Sequence, residues 1–296
     1  MTPYASPAKE ATGFVTYSPA AKRRPGRIAL RVLHYVVLIL LIFVFIGPFL
    51  WMASISIRPS NESIYTFDLI PEAPTLEFYA TTWTEYSLDR AFLNSLIVTV
   101  ASVVSNVLLC SWAAYPLARM AFRGKQLVFL LILSTMMVPF QLYMIPLFLI
   151  SLKLGLFDTL LGVIVPSTVG AFGIYLLRQY YQSIPKDLEE AARIDGAGEF
   201  QIWAKIMFPL TKPAVVTLAI FVFVQTWSSF LWPLIITNSE ERYTLPVAVA
   251  RLSGDFIGET QFTAAGSVIA VLPIIILFAL LQRWFIGGMT MGSVKG

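Results

Sequence analysis

The stretch VLHYVVLILLIFVFIGPFLWMASISI, residues 32–57, contains no Asp, Glu, Lys or Arg. A helix needs about 20 mostly apolar residues to cross roughly 30 Å of hydrocarbon at about 1.5 Å per residue. This stretch is long enough, and it lacks the polar stripe that a helix in the core of a soluble protein presents to water. It therefore predicts a transmembrane helix.

Five more stretches of this kind follow along the chain. The composition agrees with them, because 57% of the residues are hydrophobic and only 13% are charged, against about 25% charged residues in a soluble domain. We therefore predict an all-α, polytopic membrane protein whose six transmembrane helices lie within residues 32–286. The predicted spans are 32–57, 91–117, 127–152, 159–177, 214–237 and 262–282.

The distribution of Lys and Arg predicts the orientation of these spans. Sixteen of the 21 basic residues precede the first span, lie in the loops after the second and fourth spans, or follow the last span. Because basic loops stay on the cytoplasmic side of a membrane, we expect both termini in the cytoplasm. Residues 1–31 predict a disordered basic cytoplasmic leader before an uncleaved anchor, since the apolar run behind them exceeds the roughly 7–15 residues of a cleavable signal core.

Several functional classes are disfavoured by what the sequence holds. A net charge of +4 is too small for a typical nucleic-acid-binding protein. His34 is the one histidine and Cys110 the one cysteine, which leaves neither the usual general base nor a cysteine-rich metal site. The only Gly-Lys pair, at residues 124–125, lacks the upstream glycine of a phosphate-binding loop. We therefore predict no catalytic residue, no metal site and no cofactor in this chain.

The cytoplasmic segment between the fourth and fifth predicted spans, residues 183–212, is longer than the roughly 2–8 residues that a bare helix connection needs. Its first half predicts a short helix. Ser183 can cap the start of this helix, with Pro185 in the first turn, and Gly196 is a stop signal.

The second half of this segment predicts another short helix. Phe200, Trp203 and Met207 recur at spacings of three and four residues, and Pro209 ends the pattern. The expected structure is therefore two short helices joined by a tight glycine turn beneath the membrane. The small side chains of residues 191–192 would let a partner approach the first helix closely.

The pattern EAARIDGA at residues 190–197, followed by IMFP at 206–209, resembles the EAA loop of binding-protein-dependent ABC importers. In that family the loop is the coupling segment that docks into a groove on a cytoplasmic ATPase subunit. The resemblance implies that this chain is not an enzyme and that the partner ATPase binds ATP and Mg²⁺. It assigns the ATPase contact to Glu190, Ala191, Ala192, Asp195, Gly196, Ala197, Ile206 and Pro209.

Two further patterns resemble the MalG-type permease subunits of carbohydrate importers. GGMTMGSVKG, residues 287–296, is similar to their glycine-rich ending, and QTWSSFLWPL, residues 225–234, to their fifth span, with Ser228 where the family often has asparagine. The resemblance covers residues 32–296 and implies the type I ABC importer permease fold in the inner membrane. It also implies that the cytoplasmic tail contacts the ATPase through Gly288, Lys295 and Gly296.

The resemblance further implies a function and a set of partners. The function is that of a permease subunit in an ATP-driven, binding-protein-dependent importer of a sugar or oligosaccharide. The implied partners are a homologous MalF-type permease subunit, two ATP-binding subunits and an extracytoplasmic solute-binding protein. Membrane lipid surrounds the complex, and no nucleic acid is involved.

Sugars bind by stacking on aromatic rings with polar groups at the rim, and prolines in the spans can mark a bend beside a cavity. The residues leave two alternatives open, an ABC permease for a non-sugar solute such as glycerol phosphate, and an ion-coupled carrier or channel. A phosphorylated solute would favour cationic groups along the path, and a carrier usually keeps ionisable side chains at membrane depth. The candidates for the translocation path are Gln141, Tyr143, Gln225, Trp227, Ser228, Phe230 and Trp232.

Overall fold

A computed structural model of the chain describes residues 25–66, 68–255 and 260–290. Most of the predicted leader and the end of the predicted tail lie outside these residues. The chain divides into two compact units, Met1–Phe49 and Leu50–Gly296. The hydrophobic core, residues 183–212 and the cavity that are described below all belong to the second unit.

Every regular element in the described part of the chain is helical, so the predicted all-α class is confirmed. Short 3₁₀ turns occur at Val165–Ser167 and Glu240–Arg242, and a π-helical turn at Trp203–Met207. The α-helices are α1 (Pro25–Ser56), α2 (Glu77–Thr84), α3 (Leu88–Arg119), α4 (Lys125–Thr135), α5 (Phe140–Lys153), α6 (Leu160–Ile164), α7 (Ala171–Ser183), α8 (Asp187–Ile194), α9 (Glu199–Ile202), α10 (Phe208–Leu210), α11 (Lys212–Trp227), α12 (Leu231–Ile236), α13 (Leu245–Asp255) and α14 (Thr260–Thr290).

Three helices are each long and apolar enough to cross a membrane, namely Leu30–Ser56 within α1, the whole of α3, and Thr260–Leu281 within α14. Three further candidates are pairs of helices that bend at a short break. They are α4 with α5 at 97°, Leu160–Ser167 with α7 at 41°, and Glu199–Leu210 with α11 at 78°. If each bent pair counts as one span, the total by length and composition is six, in agreement with the prediction.

The predicted fifth span, residues 214–237, is wrong as a single helix. α11 ends at Trp227 and α12 begins at Leu231, so residues 228–230 interrupt it. Pro233 explains the new start, because a residue without a backbone N–H is tolerated in the first turn of a helix but disrupts its interior.

Proline accompanies some of the helix breaks but does not break every helix that contains it. Pro139 immediately precedes α5 at the 97° bend, and Pro166 lies in the 3₁₀ turn after α6. Within the described residues, the helices that continue through an interior proline are α1 at Pro48, α3 at Pro116, α5 at Pro146 and α14 at Pro273.

The main hydrophobic core lies where α3 packs along α7 and α11. α3 and α7 approach closely because Gly173 has no side chain: a Cβ atom there would lie 2.9 Å from Sγ of the fully buried Cys110. The same core continues into the segment that follows α7, since Ala192, Ile202 and Met207 are buried in it. This segment is therefore packed as part of the fold.

A second set of contacts fixes α12 beside α6. Trp232 donates its indole N–H to the carbonyl oxygen of Gly162 at 3.0 Å. The carboxylate of Asp158 accepts the backbone N–H groups of Asn238 and Ser239 at 2.9 and 3.0 Å. The Ser239 and Asn238 bonds lower the pKa of Asp158 below its ordinary value. The chain that follows α12 is thereby held to the loop that precedes α6.

Substitution of Gly162 by alanine should destabilise the folded chain. A Cβ atom there would lie 2.2 Å from the carbonyl oxygen of Leu156 and 3.0 Å from Cγ1 of Ile236. Overpacking of this kind costs about 1–3 kcal/mol of unfolding free energy, and a backbone oxygen moves less easily than a side chain. The measurement is the thermal midpoint of the detergent-solubilised chain.

Gly254→Ala is the matched control, because its Cβ atom would meet nothing within 4 Å. We expect this control to melt close to the parent temperature. Equal lowering of the midpoint by both substitutions would contradict the close contact at Gly162.

Candidate functional site: a coupling segment and a cavity

The coupling segment, defined here as residues 187–207, begins later than its sequence predicts. Ser183 does not cap α8, because it is the last residue of α7 and donates its hydroxyl to the carbonyl oxygen of Tyr180 at 2.7 Å. Ile184 is extended, as a residue before proline usually is. Pro185 consequently lies before α8 and not in its first turn.

The turn between α8 and α9 has the glycine geometry that the sequence predicts. Gly196 has a φ angle of +81°, in the left-handed region that residues with a Cβ atom rarely adopt. Its N–H donates to Arg193 O at 3.1 Å and the N–H of Ala197 donates to Ala192 O at 2.9 Å, the pair of bonds that defines a Schellman motif. A Cβ at Gly196 would meet nothing within 4 Å in this chain, so the glycine is required by backbone conformation and not by close packing.

The second helix does not end at Pro209, as the sequence predicts, but continues as helical structure to Leu210. Pro209 has no N–H to donate to Lys205 O, which would be its α-helical acceptor. The preceding residues form a π-helical turn, in which Phe208 N–H donates to Trp203 O. This wider turn is a common way for a helix to accommodate a local break in its hydrogen bonds.

The inner side of the coupling segment packs against the membrane-spanning helices. Ala192 is buried in the main core, and Ala197 and Ile206 pack against it while partly exposed. The predicted small face is therefore shared: Ala191 is exposed, whereas Ala192 faces its own fold and is not open to a partner.

The outer side of the coupling segment exposes an unusual mixture of side chains. Ile194 is 87% exposed and Phe200 is 67% exposed, and both lie close in sequence to exposed charged residues. Exposed apolar side chains grouped on one surface are typical of a docking site. We call this surface the docking face, and it consists of Leu188, Glu190, Ala191, Ile194, Asp195, Gly196 and Phe200. Pro209, which the sequence also predicts as a contact, is exposed just after the end of the coupling segment.

A cavity of about 480 Å³ lies among α3, α5, α11, α12 and the 3₁₀ turn after α6. It brings together five of the seven residues predicted for the translocation path, with contributions from three helices. These residues are Gln141, Tyr143, Gln225, Phe230 and Trp232.

Trp227 and Ser228 do not line this cavity. Trp227 is 2% exposed, stacks on Phe223 with ring centroids 5.7 Å apart, and donates its indole N–H to Ala270 O at 2.9 Å. Its side chain thus belongs to the packed core. Ser228 is exposed on the chain between α11 and α12.

The lining of the cavity combines polar, aromatic and aliphatic side chains, and among the described residues it includes no charged side chain. Sequence reasoning missed Asn106, Ser167 and Thr226 as lining residues. Asn106 was detectable as an amide near the middle of a charge-free span. Ser167 was not, since only the fold places the turn after α6 beside α3, where Ser167 O accepts the side-chain N–H of Asn106 at 3.0 Å.

The predicted tail contact is only partly within the described residues. Gly288 lies in the last turns of α14, whereas Lys295 and Gly296 lie outside the described residues. The expected contact of these three residues with an ATPase stays a prediction.

Comparison with known proteins agrees with this architecture. The family described as "Binding-protein-dependent transport system inner membrane component" matches residues 106–290. The arabinooligosaccharides transport system permease protein AraQ of Halalkalibacterium halodurans is 38% identical over 258 residues, which cover 86% of this chain and 92% of that protein. The trehalose transport system permease protein SugB of Mycobacterium tuberculosis is 36% identical over 253 residues, covering 84% and 92%.

The fold is also similar to that of a solved transporter. A chain in the crystal structure of a bacterial ABC transporter involved in the import of the acidic polysaccharide alginate superimposes with a TM-score of 0.80 at 26% identity. The match covers 90% of this chain and 100% of that one. The predicted resemblance and the predicted permease fold are confirmed.

A cysteine placed on the cavity wall should be reachable by a water-soluble thiol reagent. Gln225→Cys is the test variant, because Gln225 is exposed and lines the cavity. The native Cys110 is fully buried and supplies the internal reference. We expect Gln225→Cys to be modified at least about tenfold faster than Cys110 in the parent chain, as measured by mass spectrometry of purified protein. Equal rates would show that the cavity is not accessible to solvent.

Proposed function

Because the chain belongs to the family of binding-protein-dependent transport system inner membrane components, we propose that it is the permease subunit through which an ATP-driven importer passes a neutral sugar or oligosaccharide. A homologous MalF-type permease subunit completes the path. Two ATP-binding subunits lie beneath the pair and hold ATP and Mg²⁺, and an extracytoplasmic solute-binding protein delivers the sugar. Both termini of this chain are cytoplasmic.

The docking face is the observation that carries the coupling part of the proposal. It exposes Ile194 and Phe200, and the carboxylates of Glu190 and Asp195 are exposed close to them in sequence. This mixture suits a groove with an apolar floor and a basic rim. The other side of the segment is buried in the core. A force on the docking face is therefore transmitted to the helices that pack against the segment. The ATPase groove is therefore the proposed partner of this face, with Gly288, Lys295 and Gly296 as a second contact.

The cavity supports the choice of solute. Its aromatic rings, including Tyr143 and Phe230, can stack on sugar rings, and the amides of Gln141 and Gln225 can bond to hydroxyl groups. A phosphorylated or acidic solute would need cationic partners, and the described lining offers none. The relatives named for arabinooligosaccharides and trehalose favour a sugar over an ion or a peptide.

Substitutions on the docking face should uncouple the transporter without unfolding it. In Glu190→Ala with Gly196→Ala, the first change removes an exposed charge and the second disfavours the left-handed turn by about 1–2 kcal/mol. We expect normal insertion into the membrane and at least about a tenfold loss of solute-stimulated ATP hydrolysis in the reconstituted complex. Glu240→Gln, an exposed residue outside the coupling segment, is the control. Normal uptake by the double variant would contradict the proposal.

Removal of a stacking ring from the cavity should slow uptake of the sugar. Tyr143→Ala is the variant, and Leu142→Ala is its control, because Leu142 is 72% exposed and does not line the cavity. We expect about a five- to thirtyfold fall in initial uptake for Tyr143→Ala (roughly 1–2 kcal/mol), with the basal ATP hydrolysis unchanged. A panel of neutral and acidic sugars, tested with the binding protein present, identifies the solute. Faster uptake of acidic sugars than of neutral ones would overturn the choice of solute alone.

A further inference from the structure

A circuit of polar contacts runs from α3 through both helices of the coupling segment and back to α3. Arg119 Nε lies 2.7 Å from Glu189 Oε1, an ion pair without the geometry of a hydrogen bond. Glu189 Oε2 lies 3.5 Å from Nη2 of Arg193, whose guanidinium also donates to both carboxylate oxygens of Glu199 at 2.9 and 3.3 Å. The hydroxyl of Tyr115 closes the circuit by donating to Glu199 at 2.8 Å. We call these five side chains the coupling network.

The charges of the coupling network balance one another. Glu189 lies between the guanidinium groups of Arg119 and Arg193. Glu199 lies between the Arg193 guanidinium and the Tyr115 hydroxyl. The hydrogen bonds from Arg193 lower the pKa of Glu199 below its ordinary value, because they favour the ionised carboxylate. Glu199 therefore stays ionised near neutral pH.

The two ends of the network differ in burial. The Arg119 and Glu189 side chains are each 4% exposed, whereas those of Arg193 and Glu199 are 41% and 43% exposed. Water and salt weaken an exposed pair, but separation of a buried pair leaves an uncompensated charge away from water. Arg119 also donates to the carbonyl oxygen of Ile184, just before α8. The buried pair is thus the firm link between α8 and α3.

Three residues of α3 hold the whole length of the coupling segment. Ser111, Tyr115 and Arg119 are spaced by four residues, so they lie on one face of the helix. Ser111 accepts the indole N–H of Trp203 at 3.1 Å, while Tyr115 and Arg119 contact Glu199 and Glu189 as described. α3 therefore contacts the start, the middle and the end of the segment.

The neighbouring glutamates of α8 have different surroundings. Glu189 is buried against α3, whereas Glu190 is exposed on the docking face. Successive residues of a helix point about 100° apart, which allows one helix to present a charge to each side. The contact with α3 and the contact with a partner are therefore made by adjacent residues of one rigid turn.

α3 also reaches the cavity. Asn106 of α3 lines it and bonds to the turn after α6. From Asn106 to Arg119 the helix rises about 20 Å. One helix therefore joins the buried ion pair to the cavity wall.

We propose that Arg119 and Glu189 are positioning residues that transmit movement of the docking face to α3, and through α3 to the wall of the cavity. The proposal rests on the proposed function, since it requires an ATPase that moves the docking face. Arg119 acts through the helix that it anchors. Both side chains are buried within the chain and neither lines the cavity.

The test uses the reconstituted complex of both permease subunits, the ATPase subunits and the binding protein. Glu189→Gln and Arg119→Gln should each retain the ATPase subunits at the parental ratio, because the docking face is intact. We expect the amount of sugar transported per ATP hydrolysed to fall at least about tenfold in both variants. Arg119→Lys keeps the charge and should recover part of that ratio.

A variant without either charge separates transmission from simple stabilisation. Arg119→Met with Glu189→Leu replaces the buried pair by apolar groups, a change that often preserves stability. We expect this variant to match the parent in thermal midpoint and still to transport little sugar per ATP. Glu240→Gln again serves as the control with parental behaviour.

The outcomes distinguish this inference from the proposed function. If the parent complex does not retain an ATPase, the proposed function fails. If the parent is coupled and the variants transport as much sugar per ATP as the parent, only the role of the pair is overturned. Full recovery of coupling in the double apolar variant would also overturn it, since the pair would then act as a structural brace alone.

Discussion

Burial of one side of the coupling segment is the constraint on which the rest of the structure depends. Ala192, Ile202 and Met207 join the core formed by α3, α7 and α11, and removal of their apolar surface from water favours this arrangement. The opposite side of the same helices is then left to solvent, with Ile194 among the most exposed apolar residues of the described chain. The same packing thus attaches the coupling segment rigidly to the core and leaves the docking face exposed.

Broken helices create the cavity in the same structure. The breaks at residues 168–170 and 228–230 both contribute residues to its lining. Unpaired backbone groups are costly within a membrane unless they lie in protein or line a cavity. Here the bond from Asn106 to Ser167 O satisfies one such group. The break that forms the cavity and the side chain that stabilises it come from different helices.

The sequence predicts much of this and fails at identifiable points. The lengths of the charge-free stretches predict the number of spans. The EAARIDGA pattern predicts the coupling segment and the turn at Gly196. Both predictions succeed because these features depend on local properties of the sequence. The start of α8 is misjudged because Ser183 bonds backwards within α7. Trp227 is misassigned because an aromatic residue has the same local signal whether it lines a cavity or fills a core. Arg119 and Glu189 pair although they are 70 positions apart in the sequence. No local sequence pattern predicts a contact of this kind.

The central claim is that the docking face contacts an ATPase subunit, and site-specific cross-linking tests it most directly. A photoreactive amino acid at position 194, at the most exposed apolar site of α8, would be activated in membranes that contain the whole complex. The account predicts a covalent adduct with the ATPase subunit, and no such adduct from position 142 on α5. An adduct with the extracytoplasmic binding protein, or none with an ATPase that nevertheless copurifies, would contradict it.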